Sequence, residues 1–441
     1  MKARTWSFAL AVLSTAWSGQ LAAASLEQAV ADTLESHPDL RIVFSRFKAY
    51  QEQSRQAKGG YYPQVDLSAG YGYEDTDSPS SRSLTGGKHH QELDRGEAAI
   101  SLRQLLFDGF RVSSEVDRLN NEAKAEQYAL LSAAENTALK VSKVYLDVIR
   151  QKSILELANR NLASHQRIFD GIRQRTESGI GSSSDLSQIA GRLARAQANV
   201  MAAQNNYDDA VANYIREVNA RPENLVIPVP DADMLPGNLD QALELAKTRH
   251  PILNSSKYDV EAAQAERRGA KSNYYPHFYL EVEQTAGNDL DGFEGHNNDL
   301  TAMVRVRYNL FAGGSDAARV RETTYKLGEA KEIQQRAWRE VAEGMRLSWN
   351  ALQSLGQQKS YIRRHVEASK ETQVAYEKQF NLGKRTLLDL LDTENELFES
   401  RRDYLNAEFD ETLARYRVLN AGGLLLDSLR VTRPTIWNGE E

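Results

Sequence analysis

Residues 64–74 read QVDLSAGYGYE, and apolar side chains occupy every second position of this stretch. Successive side chains of a β-strand point to opposite faces, so the stretch predicts a strand with one apolar and one polar face. The apolar face holds Val65, Leu67, Ala69, Tyr71 and Tyr73. Strands of about ten residues with this alternation are typical of outer-membrane β-barrels, whose outside contacts lipid and whose lumen is wet.

Three further stretches, 97–107, 277–287 and 299–311, show the same alternation. The strand pairs 64–107 and 277–311 keep the same apolar phase, because Val65 corresponds to Phe278 and Leu102 to Val306. A soluble antiparallel sheet with one solvated face would show the same pattern. The alternation alone therefore leaves both structures open.

Six short motifs occur twice and in the same order, four of them 213 residues apart and two of them 204 residues apart. The motifs are Leu-x-Gln-Ala at 26–29 (Leu-Asp-Gln-Ala at 239–242), His-Pro at 37–38 and 250–251, Ala-Lys at 57–58 and 270–271, Tyr-Tyr-Pro at 61–63 and 274–276, Leu-Phe-x-Gly at 106–109 and 310–313, and Gly-x-x-[Ser/Thr]-x-x-Asp-Leu at 179–186 and 383–390. The sequence therefore predicts an internal two-fold repeat of about 200 residues. We expect the first repeat at 25–220 and the second at 239–421, joined by the proline-rich linker 221–238 and followed by the tail 422–441.

Each half has the same predicted elements. In the first half a helix covers 26–58, the strand pair covers 64–107, a long helix runs from about 112 to 178, and a glycine-rich break at 179–181 precedes a helix to about 220. In the second half the ranges are 239–272, 277–287 with 299–311, about 315–380, and 386–420 after a break at Gly383. The long helices would span about 100 Å at 1.5 Å per residue, which indicates coiled-coil packing.

The ends and the composition restrict the class of protein. Residues 1–24 have the pattern of a secretory signal peptide: Lys2 and Arg4, an apolar stretch at 6–17, then small residues at 22–24. The chain has 0 cysteines, which excludes disulfides, thiolate metal sites and cysteine nucleophiles. A net charge of −7 argues against a nucleic-acid partner. We found no P-loop, no Gly-x-Ser-x-Gly and no His-Glu-x-x-His, so we expect neither an enzyme nor a cofactor.

Four strands cannot close a barrel, because about eight strands are the minimum. An open sheet edge cannot lie in hydrocarbon, since its backbone groups would lack hydrogen bonds. A barrel would therefore need several chains: two chains give 8 strands and three give 12. Only the larger barrel leaves an aqueous path, because side chains fill an eight-stranded one.

The ordered, duplicated motifs resemble the TolC family of outer-membrane efflux and secretion ducts along almost the whole mature chain. The resemblance implies an α+β membrane protein in the outer membrane, extending into the periplasm. It implies a homotrimer with a 12-stranded β-barrel and a periplasmic barrel of coiled-coil hairpins, and an equatorial belt to which 221–238 and 422–441 contribute. The implied partners are outer-membrane lipid, a periplasmic membrane-fusion adaptor and an inner-membrane transporter.

Within that family the chain most resembles the outer-membrane components of type I secretion, including those that export large adhesins and work with an ABC transporter. Drug-efflux members often carry a lipidated N-terminal cysteine, which this chain lacks. A duct for small molecules, coupled to an RND pump, is the alternative. The competing hypothesis, from a different functional class, is a soluble periplasmic coiled-coil adaptor or scaffold in which the strands form a small sheet.

Two helix breaks are the candidate gate. Ser182-x-x-Asp185 and Thr386-x-x-Asp389 each predict a capping box at a helix start, and Gly179 and Gly383 supply the permissive backbone of the chain reversal. In the TolC family such tips close the channel and dock on the adaptor.

Carried over by motif position, the resemblance implies gate contacts by Asp185, Phe380 and Arg385, and acidic rings of Asp389 and Asp392. Phe380 departs from the family, which often has tyrosine there, so its hydroxyl hydrogen bond is lost. The alternative role for Asp389 and Asp392 is to complement the helix dipole. His89 and His90, in the loop between the first two strands, would bind a metal or lie on a solvated surface; the latter is the simpler reading.

Overall fold

The computed structural model describes residues 25–84, 86–87 and 89–438; the predicted signal peptide 1–24 lies outside this part of the chain. The first half contains helices α1 (Leu26–Ser36) and α2 (Pro38–Lys58), strand β1 (Gln64–Thr76), the short helix α3 (Pro79–Leu84), strand β2 (Gln91–Phe107), and helices α4 (Arg111–Glu177) and α5 (Ser183–Val218). The second half contains α6 (Leu239–Arg249), α7 (Pro251–Gly269), β3 (His277–Leu290), β4 (Phe293–Arg307), α8 (Ser315–Asn381) and α9 (Leu387–Ala421). The tail contains α10 (Leu425–Ser428).

The predicted single helices at 26–58 and 239–272 are wrong, because each is divided at its His-Pro motif. His37 has extended backbone angles (φ −67°, ψ 126°), which the following proline favours. Its ring nitrogen Nδ1 accepts the N–H of Asp39, so the histidine caps the second helix. His250 does the same for Ile252. The second range also ends earlier, at Gly269, and a 3₁₀ turn follows at Ser272–Tyr274.

The four strands form one antiparallel sheet in the order β1-β2-β3-β4. The register aligns the apolar positions of all four strands, as in the row Val65, Leu102, Val282 and Ala302. The second hairpin differs from its prediction: β3 continues to Leu290, and β4 runs from Phe293 only to Arg307. The sheet therefore has one continuous apolar face, on which side chains such as Leu67 (77% exposed) lie open.

The two long helices, α4 and α8, contain 67 residues each and extend about 100 Å from the sheet. Helix α5 packs antiparallel on the far half of α4, and α2 packs on the half near the sheet. Helices α9 and α7 pack on α8 in the same way. Among the described residues, no helix is both long enough and apolar enough to cross a bilayer.

The largest apolar cluster lies midway along the helices, where α1, α4, α5, α9 and the tail meet. Two buried polar groups fix the irregular segments to it. The hydroxyl of Tyr145 on α4 donates to the carbonyl of Val226 and accepts the N–H of the same residue. The carboxylate of Glu135, 3% exposed, accepts the N–H groups of Leu425 and Leu426 at the start of α10. The linker and the tail are thus both attached to the middle of α4.

Candidate gate at the tips of the helical hairpins

The first tip joins α4 to α5 through a tight glycine turn. Gly179 has φ 76°, a left-handed conformation that glycine adopts without steric cost. The N–H groups of Ile180 and Gly181 both donate to the carbonyl of Arg175, at 3.0 Å each. A Cβ on Gly181 would lie 2.7 Å from Oγ1 of Thr176, so only glycine fits there. The backbone thus fixes the reversal tightly.

Ser182 caps α5, although not with the predicted capping box. Its Oγ accepts the N–H of Ser184 at 3.2 Å and lies 2.6 Å from Oγ of the same residue. The carboxylate of Asp185 makes no reciprocal bond to the Ser182 backbone. Ser182 thus caps the N–H of Ser184, the second residue of α5, and not that of Asp185, the third residue that a capping box uses. The half-buried Asp185 carboxylate takes no part in this cap.

The second tip joins α8 to α9, and there the capping box is present. Oγ1 of Thr386 accepts the N–H of Asp389, and the Asp389 carboxylate accepts the N–H of Thr386, each at 3.2 Å. The Thr386 hydroxyl also donates to that carboxylate, and this bond does most to lower the pKa of Asp389. Gly383, with φ 70°, makes the turn. Asp389 is therefore a helix cap in the single chain.

Arg385 lies against residues of its own hairpin. Its guanidinium stacks on the ring of Tyr376, 4.2 Å from the centroid, and its Nε donates to Oε1 of Gln379 at 3.0 Å. Its Nη1 lies 4.0 Å from the carboxylate of Asp389. Arg385 and Asp185 form no ion pair within the described chain.

Phe380 packs into the apolar cluster that joins the two hairpins of one chain. The cluster is formed by Ile168, Phe169, Ile172, Leu186, Ile189, Phe380, Leu387 and Leu391. The guanidinium of Arg175 lies 5.4 Å from the centre of the Phe380 ring. This cation–π contact attaches the end of α4 to the end of α8. The aromatic ring thus has a polar partner even though it lacks a hydroxyl.

Asp392 also joins the two hairpins. Its Oδ1 lies 2.8 Å from Nη2 of Arg192 on α5, and the carboxylate remains 59% exposed. Exposed ion pairs of this kind are worth at most about 1 kcal/mol, so the bond is easily exchanged. In one chain, then, Asp392 is paired with a cation.

The partners Arg175, Tyr376 and Arg192 are absent from the sequence-based site. They lie within about two to three turns of the glycine breaks, so a search of the helix ends for aromatic and basic residues would have found them.

The histidines of the loop between β1 and β2 each lie beside an aspartate: Nδ1 of His90 lies 3.1 Å from Asp75, and Nδ1 of His89 lies 3.6 Å from Asp77. Across the described residues, no group of three or more His, Cys, Asp or Glu side chains is arranged to hold a metal.

Proteins with similar sequences include outer-membrane proteins and a protease secretion protein. The chain is 26% identical over 421 residues to the outer membrane efflux protein BepC of Brucella suis, covering 94% of this chain and 89% of the relative. It is 24% identical to the outer membrane protein TolC of Vibrio cholerae, covering 95% and 94%. It is 21% identical to the alkaline protease secretion protein AprF of Pseudomonas aeruginosa, covering 89% and 83%.

The fold agrees with a solved structure of an outer-membrane channel. The outer membrane channel CmeC of Campylobacter jejuni superimposes with a TM-score of 0.79 at 15% identity, over 91% of this chain and 86% of that one. The sequence profile of outer membrane efflux proteins matches residues 29–216 and 242–423. The expected location in the Gram-negative outer membrane, with an extension into the periplasm, is confirmed. The chain belongs to the outer membrane efflux protein family.

Proposed function

We propose that three copies of this chain form a channel-tunnel, the outer-membrane duct of a tripartite exporter. The observation that carries the proposal is the sheet: four strands with an apolar outer face and two free edges, at β1 and β4. Free edges in hydrocarbon leave backbone groups without hydrogen bonds. Pairing β4 of each chain with β1 of the next closes a barrel of 12 strands.

The helices support the same ring. Helix α4 contacts α5 and α2 of its own repeat and also α7 and α9 of the following repeat. Helix α8 contacts α9, α7 and α6 but has no following repeat in its own chain. The two-fold repeat then predicts that α2 and α5 of a neighbouring chain cover the free side of α8.

The hairpin tips are the periplasmic gate in this proposal. Closing the ring brings the Arg385 of one hairpin towards the Asp185 of a neighbouring hairpin, where charge-assisted hydrogen bonds would tie the tips together. Asp389 and Asp392 from three chains would ring the axis and favour cations. The glycine turns at 179–181 and at Gly383 present the tips, with Ser182 and Thr386, to a membrane-fusion adaptor.

For the cargo, we propose proteins of a type I system supplied by an ABC transporter, the adhesin-like class among them. The sequence likeness to AprF, a protease secretion protein, supports this. The likeness to BepC, an efflux protein, favours the alternative of small-molecule efflux with an RND pump. Comparing the secreted proteins and the drug sensitivity of a deletion strain separates the two.

Planar-bilayer recording tests the duct and its gate together. The purified protein should migrate as an SDS-resistant trimer until heated and should form channels of low conductance. Arg385→Ser should raise the conductance, because it removes the guanidinium that ties the tips. Arg363→Ser, on α8 away from the tips and bonded to Tyr404 of its own chain, is the control. A protein released as a soluble monomer by osmotic shock would contradict the duct, and an unchanged Arg385→Ser conductance would contradict the gate.

A further inference from the structure

The polar face of the sheet carries a compact group of arginines at the end that joins the helices. Arg103 of β2, with Arg305 and Arg307 of β4, surrounds one carboxylate, that of Glu281 on β3. Nε of Arg103 lies 3.7 Å and Nη2 of Arg307 lies 3.9 Å from Oε1 of Glu281. Nε of Arg305 donates to Oε2. We call Arg103, Arg305 and Arg307 the arginine collar; with Glu281, its formal charge is +2 per chain.

Tyr279 holds two of these guanidinium groups in place. The Arg103 guanidinium lies 4.1 Å and the Arg307 guanidinium 5.8 Å from the centre of its ring. Stacking on an aromatic face orients the planar group and leaves its N–H donors free at the edge. The arginine side chains are 43 to 59% exposed, whereas Glu281 is 23% exposed. The donors therefore face the solvent side of the sheet.

The rest of the same face is acidic. Its carboxylates are those of Asp66, Glu74, Glu97, Glu283 and Asp299, which share the polar face by strand register. Arg95 lies in this region, but its guanidinium contacts Glu74, Glu97 and Asp291 within 3.0 Å. The positive charge is thus confined to the helix end of the sheet.

We propose that the arginine collar binds multivalent anionic groups, carboxylates or phosphates, of the molecule that passes through the duct. The inference rests on the proposed trimer, in which three collars face one axis at the inner end of the barrel. Arginine suits this ligand class because its planar fork donates two parallel hydrogen bonds to a carboxylate or phosphate. A narrow lumen with low-dielectric walls strengthens the local field of like charges.

Block of single-channel current tests the collar. Tripolyphosphate is added on the side of the bilayer opposite the helical tunnel. In a second arm of the experiment, a peptide of five glutamates is added on the same side. The triple variant Arg103→Gln, Arg305→Gln, Arg307→Gln should raise the concentration for half-block by about tenfold or more. Glu281→Gln should lower it severalfold, because it removes the competing carboxylate. Arg95→Gln, the same change in the acidic region, should leave it within about twofold.

The outcomes separate the collar from the duct. Channels that conduct normally, but whose block is unaffected by both the triple variant and Glu281→Gln, would overturn the collar and leave the duct intact. The absence of any channel in the unmodified protein would overturn the duct instead. If the triple variant does not assemble, Glu281→Gln still tests the collar, because it should lower the concentration for half-block. Block by only one probe identifies phosphate or carboxylate as the preferred group, and higher KCl should weaken it by screening.

Discussion

The two long helices have equal lengths and corresponding positions in the repeat, yet they are buried very differently. Helix α4 has 21 buried residues along its 67, whereas α8 has 7. Leu157 of α4 is 8% exposed, and Tyr361, the residue 204 positions later on α8, is 65% exposed. Within the described chain, helix α4 thus has neighbours from both repeats, whereas α8 has neighbours from one repeat only. One chain therefore contains one complete contact between repeats and two unfilled halves of another.

The covered side of α4 shows what the open side of α8 lacks. Leu157 lies in one apolar cluster with Ala203 of α5 and Phe398 of α9. The repeat offset of 204 relates Leu157 to Tyr361, Ala203 to Ala407 and Phe398 to Ala194. In the closed ring, Tyr361 should therefore lie between Ala407 of its own chain and Ala194 of the next. Closure of the ring should thus bury Tyr361 of one chain against Ala194 of the next.

The largest effect should distinguish these two positions. Leu157→Asp buries a charge without a partner and should prevent folding, at a cost of more than about 4 kcal/mol. Tyr361→Asp should leave the helical circular dichroism of the chain intact and lower the temperature at which the SDS-resistant trimer dissociates, whereas Tyr361→Phe should not. Equal behaviour of Leu157→Asp and Tyr361→Asp would remove the distinction between the helices.

A second difference between the helices is Glu135 of α4, where α8 has Arg339. Burial raises the pKa of Glu135 to about 7, although two backbone N–H groups favour its ionised form. The folded state therefore binds this proton more tightly than the unfolded state does, and stability should fall as the pH rises from about 4.5 to 7, by roughly 3 kcal/mol. Thermal unfolding of Glu135→Gln should lose this dependence. If the stability of Glu135→Gln fell with rising pH as steeply as that of the unmodified protein, Glu135 would not cause the dependence and other contacts would hold the tail.

The two His-Pro breaks provide a smaller contrast. Burial lowers the pKa of His250 to about 4, so the folded state favours the neutral ring. Stability should then decline as the pH falls from about 6.5 towards 4, by roughly 2 to 3 kcal/mol. His250→Asn keeps a capping acceptor and should abolish that decline in thermal unfolding. His37→Asn is the control for replacing a capping histidine. If the stability of His250→Asn still declined as the pH fell from about 6.5 towards 4, groups other than His250 would cause the decline.

The smallest expected difference concerns the two tips. Thr386→Ala removes the hydroxyl that caps the N–H of Asp389 and donates to the Asp389 carboxylate, and it should destabilise the start of α9 by about 1 kcal/mol. Ser182→Ala removes a hydroxyl whose two partners on Ser184 are both neutral, and it should cost less. Hydrogen exchange at the amides of the first turns measures both. Thr386→Ser should retain most of the protection. Equal losses at the two tips would show that the bond of the Thr386 hydroxyl to the charged Asp389 carboxylate contributes nothing.

The sequence alone predicted the strand faces, because a period of two permits one assignment of apolar side chains to one face. It also predicted the bounds of both long helices within a few residues, since glycine turns end them. The break at His37 was missed because the apolar pattern continues across it. Proline disfavours helical backbone angles at the residue before it, so the His-Pro motif could have indicated the break. The partners of the gate residues were missed because Arg192 and Asp392 are 200 positions apart and meet only through packing.

The first predicted capping box failed for a local reason. Ser182 has a second serine, Ser184, within reach, and its hydroxyl bonds there instead of to the N–H of Asp185. The hydroxyl residue and the Asp have the same spacing at both tips, Ser182 with Asp185 and Thr386 with Asp389, so motif spacing cannot distinguish the tips. Only the side chains between the motif residues decide which donor is capped.

The most direct test of the ring is a pair of disulfides between β4 and β1 of neighbouring chains. Within the chain, β2 pairs with β3 so that Ala99 lies opposite Thr285 and Ile100 opposite Gln284. The repeat offsets transfer this register to Met303 opposite Gly72 and Val304 opposite Tyr71 of the next chain. Adjacent antiparallel pairs alternate in spacing, so one of the two pairs has the closer approach that suits a disulfide.

The chain has 0 cysteines, so each double-cysteine variant reports on a single contact. Oxidation of Met303→Cys with Gly72→Cys, and of Val304→Cys with Tyr71→Cys, should yield a covalent trimer in at least one case on denaturing, non-reducing gels. Val304→Cys with Tyr73→Cys, shifted by two residues on the same face, should remain monomeric after heating. Covalent trimers from the shifted pair, or monomers from both matched pairs, would contradict the closure of three chains by this register.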